Sequence, residues 1–265
     1  MRIGSGTATV PADAFTMAIQ VRSYEVGRDG RIGLGTVLRY LEHLATEAST
    51  ARGFDWRWYE AHGSAWVVRD MRLRLGALPG IGERLELVTW LSSWGRVQAY
   101  REYAVWTPVS GHLLARGQAR WAYVDRVRGT PLRLHDELMV RFGVPGYPMR
   151  AETLPVVAVP SSEDAVAQTL DLTARVYEAD INQHINNTVY ADWLSEGLAA
   201  ALTPGGRWQA RAAHITYARP ALPGDTIRVE TSRAPHGSRG LLVAQRITGA
   251  ASGAEHVRAT SLYLR

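Results

Sequence analysis

The chain has 265 residues and a net charge of +5, with 30 Lys+Arg against 25 Asp+Glu and no cysteine. Hydrophobic residues at 46% and charged residues at 21% are typical of a globular protein, and no apolar run reaches the roughly 18 residues of a membrane span. The lack of cysteine excludes disulfides, thiolate metal sites and a cysteine nucleophile, and a cytoplasmic location fits it best.

The positive charge comes from arginine, which favours a basic face for an acidic partner or a phosphate-bearing substrate. The sequence has no basic cluster with interleaved aromatic residues, no zinc-ligand spacing and no helix-turn-helix signal. We therefore predict no nucleic-acid partner, no metal and no cofactor. The first fifteen residues lack the apolar core of a secretory signal, and we expect a frayed lead-in.

The first half of the chain predicts one strand, one long helix and then several strands. Residues 17–22 alternate as a half-buried strand, and apolar residues at helical spacing predict a helix over 34–52. Segments rich in Val, Leu, Trp and Tyr, separated by Gly or Pro turns, predict antiparallel strands near 65–76, 83–94, 97–107 and 113–125. A proline-rich stretch then predicts an extended connector, with prolines at Pro145, Pro148, Pro155 and Pro160.

The second half predicts a helix over 187–202 and further antiparallel strands. Five residues at helical spacing form the predicted inward face of this helix: Tyr190, Trp193, Leu194, Leu198 and Ala201. The strands are predicted near 209–219, 225–233, 239–249 and 254–264.

Three short matches in the same order indicate that the chain contains one unit twice. Residues 23–26 match 176–179, residues 77–80 match 221–224, and residues 119–124 match 259–264, at offsets of 153, 144 and 140. The predicted fold is α+β, with two tandem hotdog domains, each a long helix wrapped by a curved antiparallel sheet. Pairing the two sheets edge to edge would cover edges that a single copy leaves open. The predicted divisions are an N-terminal hotdog at 14–144, a connector at 145–168 and a C-terminal hotdog at 169–265.

The segment 177–187 carries the strongest chemical signal. Alternation places Asp180, Asn182 and His184 on one side of any extended segment. Asn186 and Asn187 follow as helix-capping residues, and free N–H groups at a helix start can bind an anion. A base, polar orienting groups and an oxyanion site therefore fall close together, as acyl chemistry requires.

The first copy has no such constellation. The places that match Asp180, Asn182 and His184 are Gly27, Asp29 and Arg31. A purely structural motif would be equally useful in both copies, so the asymmetry favours a functional role over turn chemistry alone.

The sequence resembles the acyl-acyl-carrier-protein thioesterases of plants and bacteria, which are tandem hotdog enzymes. Residues 21–27 are similar to the family's opening strand, 66–71 to its tryptophan strand, and 180–187 to its catalytic segment. The resemblance implies hydrolysis of a fatty acyl-acyl-carrier-protein thioester with release of free fatty acid. It implies catalytic roles for Asp180, Asn182 and His184, and we assign substrate binding to Asn186, Asn187 and Trp66. At the family's glutamate and cysteine positions this chain has Pro220 and Ala221.

A thioester needs a positioned water, a base and oxyanion donors. Asp180 could be the base or the nucleophile of a transient anhydride, or His184 could be the base with Asp180 and Asn182 orienting it. The first hotdog would bind the acyl chain, with strands near 66–75 and 85–94 lining the tunnel.

The sequence is also compatible with two other functions. Acyl-coenzyme A could replace the acidic acyl carrier protein as the substrate carrier, since arginine-rich loops could bind its phosphates. A non-catalytic acyl-binding hotdog protein is the alternative from another class. The sequence leaves the oligomeric state open, with a homodimer as one option.

Overall fold

We describe the protein from a computed structural model covering residues 2–3, 6–7, 10–108, 111–143, 166–202 and 208–265. Residues 145–165 of the predicted connector lie outside these ranges. The described residues form a ten-stranded antiparallel sheet with two long helices packed against it. None of these helices is long and apolar enough to span a membrane.

The helices are α1 (Leu34–Thr50), α2 (Trp56–Ala61), α3 (Asp136–Phe142) and α4 (Val189–Ala201). The strands of the first half are β1 (Arg2–Ile3), β2 (Gly6–Thr7), β3 (Phe15–Gln20), β4 (Ser64–Leu75), β5 (Arg84–Trp94), β6 (Gln98–Trp106) and β7 (Leu113–Asp125). Those of the second half are β8 (Val166–Thr173), β9 (Gln209–Tyr217), β10 (Thr226–His236), β11 (Gly240–Gly249) and β12 (Glu255–Leu264).

The two halves of the large sheet have the same strand order, reversed about its centre. The order is β3-β5-β6-β7-β4 in the first half and β9-β12-β11-β10-β8 in the second, while β1 and β2 form a separate pair. Strands β4 and β9 join the halves in antiparallel register, with Asp70 opposite Thr216. Asp70 also accepts a hydrogen bond from His214 across this seam, at 2.6 Å. The edge-to-edge pairing predicted from the repeat is therefore confirmed.

Helix α1 forms because apolar residues recur along one face. Leu38, Leu41, Leu44 and Ala48 are all buried there, and the three leucines belong to the core that also includes residues of the first half-sheet. Helix α4 buries Tyr190, Trp193, Leu194, Leu198 and Ala201, the five residues predicted to face inward. The two helices also contact each other, and Arg39 of α1 donates hydrogen bonds to Asp192 of α4.

The repeat extends to individual hydrogen bonds. In the first copy Gly27 N–H donates to Arg31 O and Gly30 N–H to Gly27 O. The bonds of the second copy, Asp180 N–H to His184 O and Gln183 N–H to Asp180 O, lie at an offset of 153. The two loops are therefore the same structure with different side chains.

The match between residues 77–80 and 221–224 is out of register by two residues. Ile32 N–H donates to Pro79 O where Ile185 N–H donates to Ala221 O, an offset of 142 for the acceptors. Gly82 and Gly224, both at positive φ, are equivalent by the same offset. The predicted pairing of residue 80 with residue 224 is therefore wrong, because the glycine that adopts the left-handed conformation in the first copy is Gly82.

Other differences concern short elements. Helices α2 and α3 were not predicted, since six and seven residues are too few to show a helical period. The predicted helix over 187–202 begins two residues later, at Val189, and ends one residue earlier.

Candidate active site

A cavity of about 250 Å³ lies in the first hotdog, between α1 and strands β4 to β7. Its walls combine apolar and polar side chains, the main ones being Glu42, Ala45, Ser49, Phe54, Tyr59, Trp66, Leu91, Ala99, Arg101, Trp121 and Phe142. Residues of the second hotdog complete the lining, namely Asp180, Ile181, Asn182 and Asn187. The segment of the second copy that carries Asp180 and Asn182 therefore forms part of the wall of a cavity in the first copy.

The segment 179–185 is a tight loop and not the extended stretch expected from its alternation. Ala179 and Ile185 pair in an antiparallel bridge at its base. Gln183 adopts φ of 62°, the one non-glycine residue at positive φ in the described chain. Because this residue reverses the chain direction, His184 does not lie on the same side of the loop as Asp180 and Asn182, contrary to the expectation from period two.

Asp180 and Asn182 are brought together by this loop. Asp180 Oδ1 accepts the backbone N–H of Asn182 at 2.8 Å, and Oδ2 accepts the Asn182 side-chain amide at 3.4 Å. These bonds hold the carboxylate in one orientation and leave some of its acceptor sites free. Both residues line the cavity, as a base and its orienting partner would.

His184 lies at the other end of the loop and does not line the cavity with them. Its backbone carbonyl accepts the N–H of Asp180 at 2.8 Å, whereas its half-buried ring makes no hydrogen bond within the described residues. The imidazole is therefore free to bind another group, but it is not bonded to Asp180.

Asn186 and Asn187 have different environments. Asn186 Oδ1 accepts the N–H and the hydroxyl of Thr188, at 2.8 and 2.6 Å, and its Nδ2 donates to Glu42 Oε1 at 3.0 Å. Thr188 is the N-cap position of α4, so neither asparagine is the N-cap itself. Asn187 lines the cavity, and neither its backbone N–H nor its side chain is hydrogen-bonded in the described chain.

Glu42 is a site residue that the sequence analysis missed. It projects from α1 into the cavity lining beside Asp180. Burial raises the pKa of Glu42, the hydrogen bond from Asn186 opposes this rise, and the negative charge of Asp180 adds to it. The available signal was the position of a glutamate between Leu41 and Ala45 on the helix face that is otherwise apolar.

Arg101 is a second missed residue. It is 7% exposed, lines the cavity and donates to Thr89 Oγ1 at 3.3 Å. Burial lowers the pKa of this guanidinium. Strand alternation places Arg101 and Ala99 on the helix-facing side of β6. An arginine at an inward-facing position of a predicted strand was therefore the sequence signal for this residue.

Trp66, predicted to contact substrate, lines the cavity and is held in place by a polar chain. Its indole N–H donates to Tyr59 Oη at 3.1 Å, and Tyr59 Oη lies 2.9 Å from Ser49 Oγ. Pro220, in contrast, is exposed and outside the lining, while Ala221 is buried and donates its N–H to Tyr190 Oη. Within the described residues, no carboxylate from the segment that follows β9 lines the cavity.

The fold and the cavity define a tandem hotdog protein. The loop 179–185 of its second copy contributes residues to the cavity of its first copy. The sequence matches two families, the acyl-ACP thioesterase N-terminal domain over residues 12–142 and the acyl-ACP thioesterase C-terminal domain over residues 161–264. The chain therefore belongs to the acyl-ACP thioesterase family.

Curated relatives are chloroplast proteins of plants. The palmitoyl-acyl carrier protein thioesterase of Gossypium hirsutum is 25% identical over 206 residues, covering 73% of this chain and 49% of that protein. Oleoyl-acyl carrier protein thioesterase 1 of Arabidopsis thaliana is 24% identical over 206 residues, covering 73% and 57%. The chain thus spans about half the length of the curated relatives that it matches.

Two solved structures have the same fold over nearly the whole chain. A putative oleoyl thioesterase from Lactobacillus plantarum superposes with a TM-score of 0.82 at 19% identity, covering 97% of this chain and 98% of that one. The 12:0-ACP thioesterase from Umbellularia californica gives 0.78 at 20% identity, covering 94% and 93%. At this level of identity the likeness establishes the tandem hotdog fold, as predicted.

Proposed function

We propose that this protein hydrolyses the thioester of a fatty acyl-acyl carrier protein and releases the free fatty acid. The observation that carries the proposal is the convergence of Asp180, Asn182 and Asn187 on a cavity that lies in the first hotdog. The relatives named above are thioesterases of acyl carrier protein substrates, which supports the same reaction here.

The acyl chain enters the first hotdog and the thioester stays at the loop of the second. Ala45, Phe54, Leu91, Ala99 and Phe142 supply the apolar part of the cavity wall. Apolar contacts along the acyl chain bind it without directional bonds, and the loop of the second hotdog then determines the position of the thioester carbon.

Asp180 takes a proton from the attacking water. Its two bonds from Asn182 fix the carboxylate, so that a free oxygen can hold the water against the thioester carbon. His184 acts from the same loop but from outside the cavity lining, where its ring makes no hydrogen bond in the described chain and can bind the part of the substrate that projects from the cavity. We expect Asp180→Asn and His184→Ala each to lower kcat/KM by about 10²-fold or more, with the fold intact.

Asn187 stabilises the oxyanion. Its backbone N–H has no bond in the described chain, and it lies just before α4, where the helix end adds partial positive charge. The oxyanion collapses, the C–S bond breaks and the carrier thiol leaves.

The carrier is an acidic acyl carrier protein. The chain has a net charge of +5, and two arginines lie at or next to the cavity lining: Arg126, which pairs with Glu60 at 3.2 Å, and Arg57, which lies 5.5 Å over the ring of the lining residue Trp56. Opposite charge steers an acidic partner to a basic protein. A cytoplasmic location is part of this proposal and fits a chain without cysteine.

The test is release of free thiol from matched acyl-carrier-protein and acyl-coenzyme A substrates over a series of chain lengths. Because the chain has no cysteine, a thiol reagent detects only the product. We expect kcat/KM to be higher for the carrier-protein substrate. Faster release from coenzyme A would overturn the choice of carrier, and no release from either would support an acyl-binding protein without hydrolase activity.

A further inference from the structure

Glu42 lies where the catalytic loop of the second hotdog meets the helix of the first. Asn186 Nδ2 donates to Glu42 Oε1, and the amide cannot turn over, because its Oδ1 already accepts the N–H of Thr188. Glu42 Oε2 accepts no hydrogen bond within the described residues, and Glu42 lines the same cavity as Asp180. One oxygen is therefore anchored, and the other has no hydrogen-bond partner within the described residues.

The internal repeat shows that this arrangement is not a structural requirement of the fold. At the offset of 153, Ser195 matches Glu42 and Gly33 matches Asn186. Ser195 bonds to a carbonyl of its own helix, and Gly33 has no side chain. The glutamate thus occurs in the first copy only. It contacts the segment of the second copy that carries Asp180, Asn182 and His184, and the first copy has no equivalent set of side chains.

The surroundings of Glu42 shift its pKa. Burial is the main cause of a rise above the ordinary value and the charge of Asp180 adds to it, while the hydrogen bond from Asn186 and the charge of Arg39 oppose the rise. Two phenols also face it, Tyr103 and Tyr217, and burial raises the pKa of each, so both are neutral. Two carboxyl groups with different environments in one site can take opposite proton-transfer roles.

We propose that Glu42 is the general acid of the site, paired with Asp180 as the base. This inference rests on the proposed function. Water adds to the thioester carbon as its proton passes to Asp180. The tetrahedral intermediate collapses, the C–S bond breaks and the sulfur receives the proton of Glu42 Oε2, giving the carboxylic acid and the free thiol. A proton then passes from Asp180 to Glu42 through solvent, which restores the starting state.

The direct test varies the leaving group in Glu42→Gln. Glutamine keeps an oxygen to accept the Asn186 amide but cannot donate an acidic proton. With an acyl-pantetheine substrate we expect kcat/KM to fall about 10²-fold, the low end for acid–base catalysis because a thiolate is a fair leaving group. With the nitrothiophenyl thioester of the same acyl group, whose thiolate leaves without a proton, we expect a loss of less than about threefold.

The pH profile gives an independent readout. An acid must be protonated, so wild-type kcat/KM with acyl-pantetheine falls as pH rises through the pKa of Glu42, and this alkaline limb is absent from Glu42→Gln. The matched control is Glu47→Gln on the same helix, since Glu47 is outside the cavity lining and half-exposed. We expect wild-type behaviour from this control with both substrates.

The outcomes separate the two proposals. A wild-type protein that cleaves neither thioester would overturn the proposed hydrolase function itself. A wild-type protein that cleaves both, with Glu42→Gln equally impaired on the two leaving groups and unchanged in its pH profile, would overturn the acid role alone and leave Glu42 a structural residue.

Discussion

Asn186 connects the loop 179–185, α4 and Glu42, so its replacement has a stability cost that can be worked from individual contacts. Asn186→Ala removes the acceptor for the N–H of Thr188, a capping-type interaction of about 1 kcal/mol. It also leaves the Thr188 hydroxyl, on a residue that is 3% exposed, without its acceptor, at about 1–2 kcal/mol. Loss of the donor to Glu42 adds about 0.5–1 kcal/mol. We expect a total destabilisation of about 3 kcal/mol.

Urea denaturation followed by circular dichroism measures this loss. The matched control is Asn187→Ala, which removes a side chain of the same type one residue away that makes no hydrogen bond in the described chain. We expect this control to change the free energy of unfolding by less than about 0.5 kcal/mol. Equal effects of the two alanine variants would refute the assignment of these contacts.

Asn186→Asp refines the same prediction. The aspartate keeps an acceptor for Thr188 but replaces the donor to Glu42 with a second carboxyl group. Like charges raise the pKa values of such a pair above their unfolded values. Stability relative to wild type is therefore retained at low pH and lost as pH rises through the folded pKa values. A destabilisation that does not change with pH would contradict the contact with Glu42.

Three further predictions concern the fold and the cavity. Burial raises the pKa of Glu102 from 4.5 to about 7. Its contribution to stability is therefore present below pH 4.5 and is lost as pH rises through 7, by about 3 kcal/mol. In urea titrations, Glu102→Gln should make the free energy of unfolding less dependent on pH between these values. Ala99→Leu should shorten the cavity, so its kcat/KM relative to wild type should fall more steeply with longer acyl chains. Gly197→Ala would place a methyl group 2.5 Å from Val229 Cγ1 and should cost about 1–3 kcal/mol, visible as a lower melting temperature.

Much of the fold follows from periodicity because its elements are long. Helix α1 and strands β4 to β7 lie within a few residues of their predicted bounds, since each spans enough residues for a period to be visible. The short helices α2 and α3 do not. Helix α2 depends on a local contact instead, the hydrogen bond from Trp58 N–H to Asp55, which a periodic pattern does not reveal.

The sequence predicts part of the candidate site, and the remaining part depends on tertiary packing. The loop residues Asp180 and Asn182 could be found from their residue types, but the reversal at Gln183 could not be read from glutamine itself. The equivalent residue, Gly30 at φ of 73°, was the signal for a turn. Glu42 lies 144 residues from Asn186, so its role depends on packing between the two copies.

The central claim is that one active site exists, formed by the second hotdog's loop over the first hotdog's cavity. The most direct test compares thiol release by Asp180→Asn and Asp29→Asn with an acyl-carrier-protein substrate. Asp29 provides a matched control, since its carboxylate accepts a backbone N–H two residues on, as Asp180 does, but in the loop of the first copy. We predict that Asp180→Asn loses about 10²-fold or more in kcat/KM while Asp29→Asn is equal to wild type. Equal losses in both variants, or loss only in Asp29→Asn, would contradict this account.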